Sequence, residues 1–262
     1  MNLIVFLKHV PATDSRISIA DDGKSVVQEG LNYVISPYDE IALEEALRLK
    51  EKAGSGDVTV VSLGYDSAKE SLRKALATGA DKAVLVKDTA RAGSDPLTTA
   101  RALSKAIEGQ PYDLLLFGQQ GVGTDQSQVG ALVAEFLNLP HINWVVKLEI
   151  EGNTLKTESE IEGGHEVIEC KMPAVVITQK GLNEPRYPSL KGIMAAKKKE
   201  ITEKSLADIG LSPDEAGEAS AKTRIVRLEL QPPKEPGRIL EGEPKEAARE
   251  LARILHEERK FI

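Results

Sequence analysis

The sequence has almost no cysteine: Cys170 is alone among 262 residues. A single cysteine excludes an intramolecular disulfide and any metal cluster held by several cysteines. Cys170 lies in a strand-like run, EVIECKMP, and we expect it to be a small packed residue.

Long apolar runs and an excess of positive charge are also missing. No stretch approaches the roughly 20 apolar residues that a membrane helix needs. The N-terminal MNLIVFLKHVP has neither a basic start nor a cleavage signature. The formal net charge of −7 argues against nucleic acid and anionic membranes as general partners. We therefore expect a cytoplasmic protein.

The sequence offers no catalytic constellation. Its histidines are scattered singly, without a second ligand at metal spacing; they are His9, His141, His165 and His256. The acidic residues of EIEGGHE, which include Glu160 and Glu166, are more typical of a solvated turn than of an acid/base pair. This pattern predicts a protein that holds a ligand rather than one that converts it.

Strand-length apolar runs alternate with segments of helical period in the first half of the chain. The runs are Leu3–Lys8, Val58–Gly64, Lys82–Val86 and Asp113–Gly118. They are continuously apolar, as expected for strands covered on both faces. The alternation predicts an α/β fold, with a Rossmann-like, doubly wound and mostly parallel sheet.

Proline and glycine mark the ends of the helices between these runs. We predict helices over 36–54, 67–79 and 94–109. The first and third begin with a serine or an aspartate followed by proline, which suits an N-cap and a first turn, and all three close at glycine.

The pattern changes beyond Pro140. Breaks at Glu151–Asn153 and Gly163–Gly164 predict an added hairpin region and then a return strand. The C-terminal third is polar, with a linker at Gln231–Gly237 and one amphipathic helix over Pro244–Arg259. An extended arm of this composition has too little apolar content to fold alone, so we expect it to pack on another surface.

A glycine-containing segment, FGQQGVGTDQSQVG (Phe117–Gly130), follows the fourth apolar run and opens a helix. Ligands of open parallel sheets bind at this edge, with phosphates near the N–H groups of a helix N-terminus. The pattern is neither G-x-G-x-x-G nor a Walker A loop, and it has no lysine. Two interpretations stay open: a nucleotide site, which its position favours, and a plain loop before an N-capped helix.

A second segment, GLNEPRYPSLKGIMAAKKK (Gly181–Lys199), combines two prolines with three large apolar side chains and a lysine run. The prolines predict a preformed protruding loop, and the lysines a solvated face. Packing on the same domain is the plainer interpretation of Ile193 and Met194. It suits Leu190 less well, so Leu190 is the candidate anchor for a partner.

With these two segments, the sequence resembles the beta subunit of electron transfer flavoproteins. The most specific match is NEPRYPSLKGIMAAKKK, and GQQGVGTDQSQVG is the second. Other matching pieces are NYVISPYDEIALEEALRLKEK, SLRKALATGADKAVLV and EIEGGHEVIECKMPAVVI. Together they extend in family order from Asn2 to about Gly210.

The resemblance implies a subunit that binds a structural AMP and pairs with an alpha subunit, which holds most of a redox-active FAD. The heterodimer would carry electrons from flavin-dependent dehydrogenases of the acyl-CoA type to a membrane-bound quinone reductase. Tyr38 falls where the family places an aromatic near the flavin ring. The implied nucleotide contacts are Phe6, Ser36, Pro37, Tyr38, Asp39, Leu63, Gly118, Gln119, Gln120, Gly121, Val122, Gly123, Thr124, Asp125, Gln126, Ser127, Gln128 and Val129.

The resemblance also implies partner contacts, and neither a catalytic residue nor a metal ligand. Leu190 matches the anchor of a recognition loop, and Glu166 matches an acidic residue used in docking and in control of flavin-domain motion. The remaining implied contacts are Tyr187, Ile193 and Met194. The expected organisation is a nucleotide-binding α/β domain over 1–185, a partner-recognition loop and helix over 186–199, and a C-terminal arm over 200–262 that packs on the alpha subunit.

Two alternative functions remain. A related branch of electron-bifurcating flavoproteins oxidises NADH and holds a second FAD in place of AMP. Gly123, Thr124, Ser127 and Val129 depart from the usual AMP loop, but the NEPRY segment is not typical of that branch and favours AMP. The third candidate is a free-standing adenine-nucleotide sensor. The recognition segment and the arm argue against it, because both present surfaces for proteins.

Overall fold

A computed structural model describes residues 1–87, 94–232 and 236–261. Its strands are β1 (Leu3–Phe6), β2 (His9–Pro11), β3 (Tyr33–Ile35), β4 (Val58–Gly64), β5 (Lys82–Lys87), β6 (Leu114–Gly118), β7 (His141–Glu151), β8 (Thr154–Ile161), β9 (Gly164–Lys171), β10 (Ala174–Thr178) and β11 (Ile201–Ser205). Its α-helices are α1 (Pro37–Ala53), α2 (Lys69–Thr78), α3 (Pro96–Ala106), α4 (Val129–Phe136), α5 (Leu190–Ala196), α6 (Gly217–Ser220) and α7 (Pro244–Arg253). Short 3-10 turns cover Asp66–Ala68, Ala207–Ile209 and Pro213–Glu215.

Nine of the described strands form one sheet, in the order β11-β5-β4-β1-β6-β10-β7-β8-β9. The seven strands from β11 to β7 run parallel, β8 pairs antiparallel with β7, and β9 pairs antiparallel with β8. Strands β2 and β3 form a separate antiparallel pair. The predicted Rossmann-like, mostly parallel α/β sheet is therefore confirmed.

Helices cover both faces of the parallel part of the sheet. In β1, Leu3 and Val5 pack into one core with α1 and α2, whereas Ile4 and Phe6 pack into a second core with α3 and α4. Successive strand side chains point to opposite faces. Two-sided burial is thus the reason why the strand sequences are continuously apolar rather than alternating.

The added hairpins turn close to the predicted breaks. Gly152 and Gly163, at φ of 59° and 81°, sit in the turns after β7 and β8. Glycine populates this left-handed region at little steric cost, so it suits both two-residue turns. Strand β10 then returns to pair parallel with β6.

Some boundaries differ from the sequence prediction. Helix α3 ends at Ala106 rather than Gly109, and α7 ends at Arg253, followed by a π-helical turn over Ile254–Glu258. Strand β11, with the sequence ITEKS, pairs with β5 at the sheet edge and was not predicted as a strand. An edge strand with one apolar side chain has little periodic signal to distinguish it from a loop.

The described chain divides into two compact units, Met1–Leu228 and Glu229–Ile262. In the second unit, Arg253 on α7 pairs with Glu250, at 2.8 Å. Residues 233–235 of the predicted linker lie outside the described residues. None of the described helices is both long and apolar enough to cross a membrane.

Candidate functional site

A cavity of about 220 Å³ opens at the carboxyl ends of β1 and β6. In the sheet, β1 lies between β4 and β6. Strand β4 is the next strand of this sheet along the chain after β1, whereas β6 comes later and adds to the other side of β1. Helices α1 and α2 pack on one face of the sheet and α3 and α4 on the opposite face. This is the topological switch point, where open α/β sheets bind ligands.

Two stacked aromatic rings line the bottom of this cavity. The Phe6 and Phe117 ring centroids lie 4.2 Å apart with an angle of 8° between the planes. Leu63 at the end of β4 and Leu103 on α3 add aliphatic surface. The result is an apolar base beneath a polar rim, which is the usual composition of a small-molecule site.

The polar rim is the loop over 118–130, which is braced by its own side chains. Gln120 Nε2 donates to Asp125 Oδ1 at 3.0 Å, and Ser127 Oγ donates to Gln120 Oε1 at 3.2 Å. Asp125 and Ser127 both have positive φ, of 46° and 51°. Side-chain hydrogen bonds of this kind compensate for the cost of such backbone conformations outside glycine.

Lys8 reaches the loop from the end of β1. Its Nζ donates to Thr124 Oγ1 at 2.8 Å. Gly121 permits this approach, because a Cβ there would stand 2.5 Å from Lys8 Cδ. The segment over 118–130 contains no lysine, but the fold supplies a cation from a neighbouring strand.

Asp39 is a buried carboxylate at the wall of the cavity. It accepts hydrogen bonds from the backbone N–H of Lys8 at 2.7 Å and of Gly118 at 3.1 Å. It therefore joins the start of α1 to the ends of β1 and β6. Burial raises the pKa of Asp39 to about 7, although the two N–H groups oppose the change.

Most of the predicted nucleotide contacts lie around this cavity. Those that line it are Phe6, Asp39, Leu63, Gly118, Gln119, Gln120, Gly121, Thr124, Gln126, Ser127, Gln128 and Val129. Those that lie outside the lining are Ser36, Pro37, Tyr38, Val122, Gly123 and Asp125.

Two of the outlying residues support the wall instead. Ser36 occupies the N-cap position of α1 without a side-chain capping bond, and its hydroxyl donates to Gln120 O at 3.3 Å. The Tyr38 carbonyl accepts from Thr178 Oγ1 at 3.4 Å.

Sequence reasoning missed the side of the cavity formed by α3. Asp95, its N-cap, accepts hydrogen bonds from the backbone N–H of Thr98 at 2.9 Å and of Lys222 at 2.7 Å. The missed lining residues are Leu7, Lys8, Ser94, Asp95, Pro96, Thr99 and Leu103, whereas Phe117 and Gly130 are the ends of the predicted segment Phe117–Gly130. A usable signal existed, because α3 also starts beyond the carboxyl end of a parallel strand.

The sequence pattern of the electron transfer flavoprotein domain matches residues 24–209. The chain is 42% identical over 257 residues to the electron transfer flavoprotein subunit beta of Thermoanaerobacterium thermosaccharolyticum, with 98% of each chain covered. It is 41% identical over 263 residues to the protein of that name from Bacillus subtilis, with 100% of each covered. This chain belongs to the electron transfer flavoprotein family.

The beta subunits of this family resemble the chain along its whole length. The protein of that name from Methylophilus methylotrophus is 38% identical over 261 residues, with 98% of each chain covered. The family resemblance inferred from the NEPRY and GQQGVGTDQSQVG segments is thereby confirmed. In this electron transfer flavoprotein chain, both segments lie in the first compact unit.

The residues predicted for partner docking are separate from the cavity. Tyr187, Leu190 and Met194 are 93%, 83% and 70% exposed, and Ile193 is 41% exposed. Leu190 is the first residue of α5, whose N-cap Ser189 accepts from Gly192 N at 3.0 Å. The plainer interpretation of Met194, packing on its own domain, is wrong, because the side chain lies on an exposed helix face.

Glu166 lies on β9, the outer strand of the hairpin region, directly opposite Ser159 of β8. With Trp144 and Ile161 it lines a shallow cleft of the antiparallel strands. Glu166 therefore lies on the outer strand of the sheet, whereas the other exposed docking candidates lie on or next to α5.

We expect Asp39 to make the stability of this protein depend on pH. Its folded-state pKa of about 7 lies above the ordinary value, so its stabilising contribution is complete below about pH 4 and is lost as the pH rises toward 7. The loss reaches at most about 4 kcal/mol, at about 1.4 kcal/mol per pH unit.

The Asp39→Asn variant has no carboxyl group at this position, so its free energy of unfolding should lack this pH-dependent contribution. Unfolding temperatures of the purified wild-type and variant proteins at pH 4 to 8 would measure it. We expect the advantage of the wild type over the variant to shrink as the pH rises. An advantage that grows between pH 4 and 7 would contradict a raised pKa at Asp39.

Proposed function

We propose that this chain is the nucleotide-binding and partner-docking subunit of a heterodimeric electron carrier. The observation that carries the proposal is its full-length similarity to electron transfer flavoprotein beta subunits. Within the chain, a cavity at the switch point and an exposed apolar helix supply the two surfaces that this function requires. Among the described residues, no group of three or more His, Cys, Asp or Glu side chains could hold a metal ion.

The ligand proposed for the cavity is AMP, held as a structural group. The stacked Phe6 and Phe117 rings suit a purine base, and the N–H groups at the start of α4 suit a phosphate. Gln119 lines the same cavity, and its buried Oε1 accepts no hydrogen bond among the described residues. Lys8 supplies positive charge at the same rim.

The NEPRY segment favours AMP over a second FAD in this cavity, because that segment is not typical of the bifurcating branch. The bifurcating alternative, with a second FAD in this chain, is an outcome of the nucleotide measurement.

The partners are those that the family resemblance implies, and exposed apolar residues support them. The outer part of the predicted arm exposes Ile239, Leu251 and Phe261, at 85%, 48% and 77%, which suits packing on an alpha subunit that holds FAD. Leu190 and its neighbours on α5 suit a flavin-dependent dehydrogenase of the acyl-CoA type. The heterodimer would pass its electrons to a membrane-bound quinone reductase, so this chain has no chemistry of its own.

Co-expression with the alpha subunit tests the pairing. We expect one stable complex with one copy of each chain, since exposed apolar side chains on the arm need a covering surface. Analytical ultracentrifugation at micromolar concentration would measure the stoichiometry. A well-folded monomer that ignores the alpha subunit, or a complex whose flavin is reduced by NADH alone, would refute the proposal.

A further inference from the structure

The exposed helix α5 is only seven residues long, and such a helix is not stable by itself in water. Its Leu190 and Met194 side chains point away from the domain and supply little packing. Something else must hold α5 in place. The structure shows contacts on the opposite side of this helix that serve that purpose.

Gly192 brings α5 into direct contact with α2. A Cβ at Gly192 would stand 2.2 Å from the carbonyl oxygen of Ala77, which is far inside van der Waals contact. Ala77 lies in the last turn of α2. The absence of a side chain at Gly192 therefore sets how closely the two helices approach.

Arg73 holds the other end of α5. Its Nη1 donates to the carbonyl oxygens of Ala196 and Lys199, both at 2.5 Å. The Ala196 carbonyl is the last of α5, where intrahelical partners run out, and the Lys199 carbonyl lies in the turn that follows the helix. A guanidinium from α2 satisfies them, and its charge also suits the negative end of the helix dipole.

Arg186 fixes the segment that leads into α5. Its guanidinium meets Glu44 at 2.8 Å and Glu51 at 2.5 Å, both on α1. Burial raises the pKa of Glu44, but hydrogen bonds from Arg186 and Arg48 outweigh it and hold that pKa below its usual value. The approach to α5 is thus attached to α1, and the helix itself to α2.

We infer that Arg73 and Gly192 are positioning residues, which hold α5 on α2 so that Leu190 is presented to the partner dehydrogenase in a fixed orientation. The inference rests on the proposed docking function of α5. A preformed helix loses less conformational entropy on binding than a mobile one. Neither residue belongs to the exposed face, so each acts through the placement of Leu190.

The test uses the heterodimer and an acyl-CoA dehydrogenase reduced by its substrate. Arg73→Gln and Gly192→Ala should each raise KM for the carrier about five- to tenfold, with kcat within about twofold. The nucleotide content should be unchanged. Lys74→Gln is the matched control, since Lys74 also lies on α2 but pairs with Glu40, at 2.6 Å.

Hydrogen exchange separates positioning from general loosening. The amides of Ile193 and neighbouring α5 residues should exchange faster in both variants, while the amides of β1 keep their protection. Faster exchange throughout the domain would overturn the inference. So would normal KM values in variants whose α5 exchanges faster.

Leu190→Ala in the same assay distinguishes the two failures. If Leu190→Ala also leaves KM unchanged, the docking function of α5 is wrong. If Leu190→Ala raises KM but Arg73→Gln and Gly192→Ala do not, docking stands and positioning by α2 is wrong.

Discussion

Leu190→Ala is expected to slow electron transfer from the partner dehydrogenase about 30-fold at limiting carrier concentration. This corresponds to the roughly 2 kcal/mol that a buried interface anchor contributes to binding. Leu190 is 83% exposed, so its removal takes little packing from the folded domain. The unfolding free energy should stay within about 0.5 kcal/mol of the wild type.

Stopped-flow measurements of flavin reduction would measure this effect, with calorimetry on the same preparations. Val27→Ala is a suitable control, because Val27 is 39% exposed and lies outside both α5 and the predicted arm. A Leu190 variant that unfolds much earlier would place this side chain in the core. Unchanged transfer would show that the dehydrogenase binds elsewhere.

Gly118→Ala should remove the bound nucleotide and destabilise the chain. A Cβ at Gly118 would stand 2.5 Å from the backbone carbon of Tyr38 and 2.6 Å from the backbone nitrogen of Asp39. Backbone atoms cannot move aside as a flexible side chain can. We expect β6 to shift away from the start of α1, which would widen the wall of the cavity and cost about 3 kcal/mol.

Released nucleotide and the unfolding free energy of the same purified complex would measure both effects. Gly164→Ala is the matched control, because no atom lies within 4 Å of the position that its Cβ would take. A Gly118 variant with wild-type stability and full nucleotide content would show that α1 and β6 do not form a rigid wall.

The sheet was predictable because its strands are buried on both faces. Runs such as VTVVSLG and DLLLFG carry no polar alternation, and the glycines and prolines between them mark helix ends. Strand β11 gave no such signal, since Thr202, Glu203 and Lys204 are typical of a surface loop. Its place at the sheet edge depends on pairing with β5, which no local pattern encodes.

From the residue pattern alone, the cavity was predictable only where one segment carries it, whereas Phe6, Asp39 and Leu63 were predicted through the family resemblance. The loop over 118–130 has its own glycines and follows its own strand. Lys8 and Asp95 belong to β1 and α3 regions that are distant in sequence, and they reach the loop only because the sheet order brings these ends together. That order follows from tertiary packing, so the sequence alone leaves it open. The contact of Gly192 with Ala77 O is another long-range feature of this kind.

The most direct test of the proposed function is a count of nucleotides in the purified heterodimer. The complex is denatured, and the released nucleotides are separated and quantified by chromatography. One FAD and one AMP per heterodimer is the result expected for an electron carrier with a mononucleotide in the cavity beside Phe6 and Phe117. Two FAD and no AMP would contradict it, and would assign an NADH-oxidising, bifurcating function to the complex.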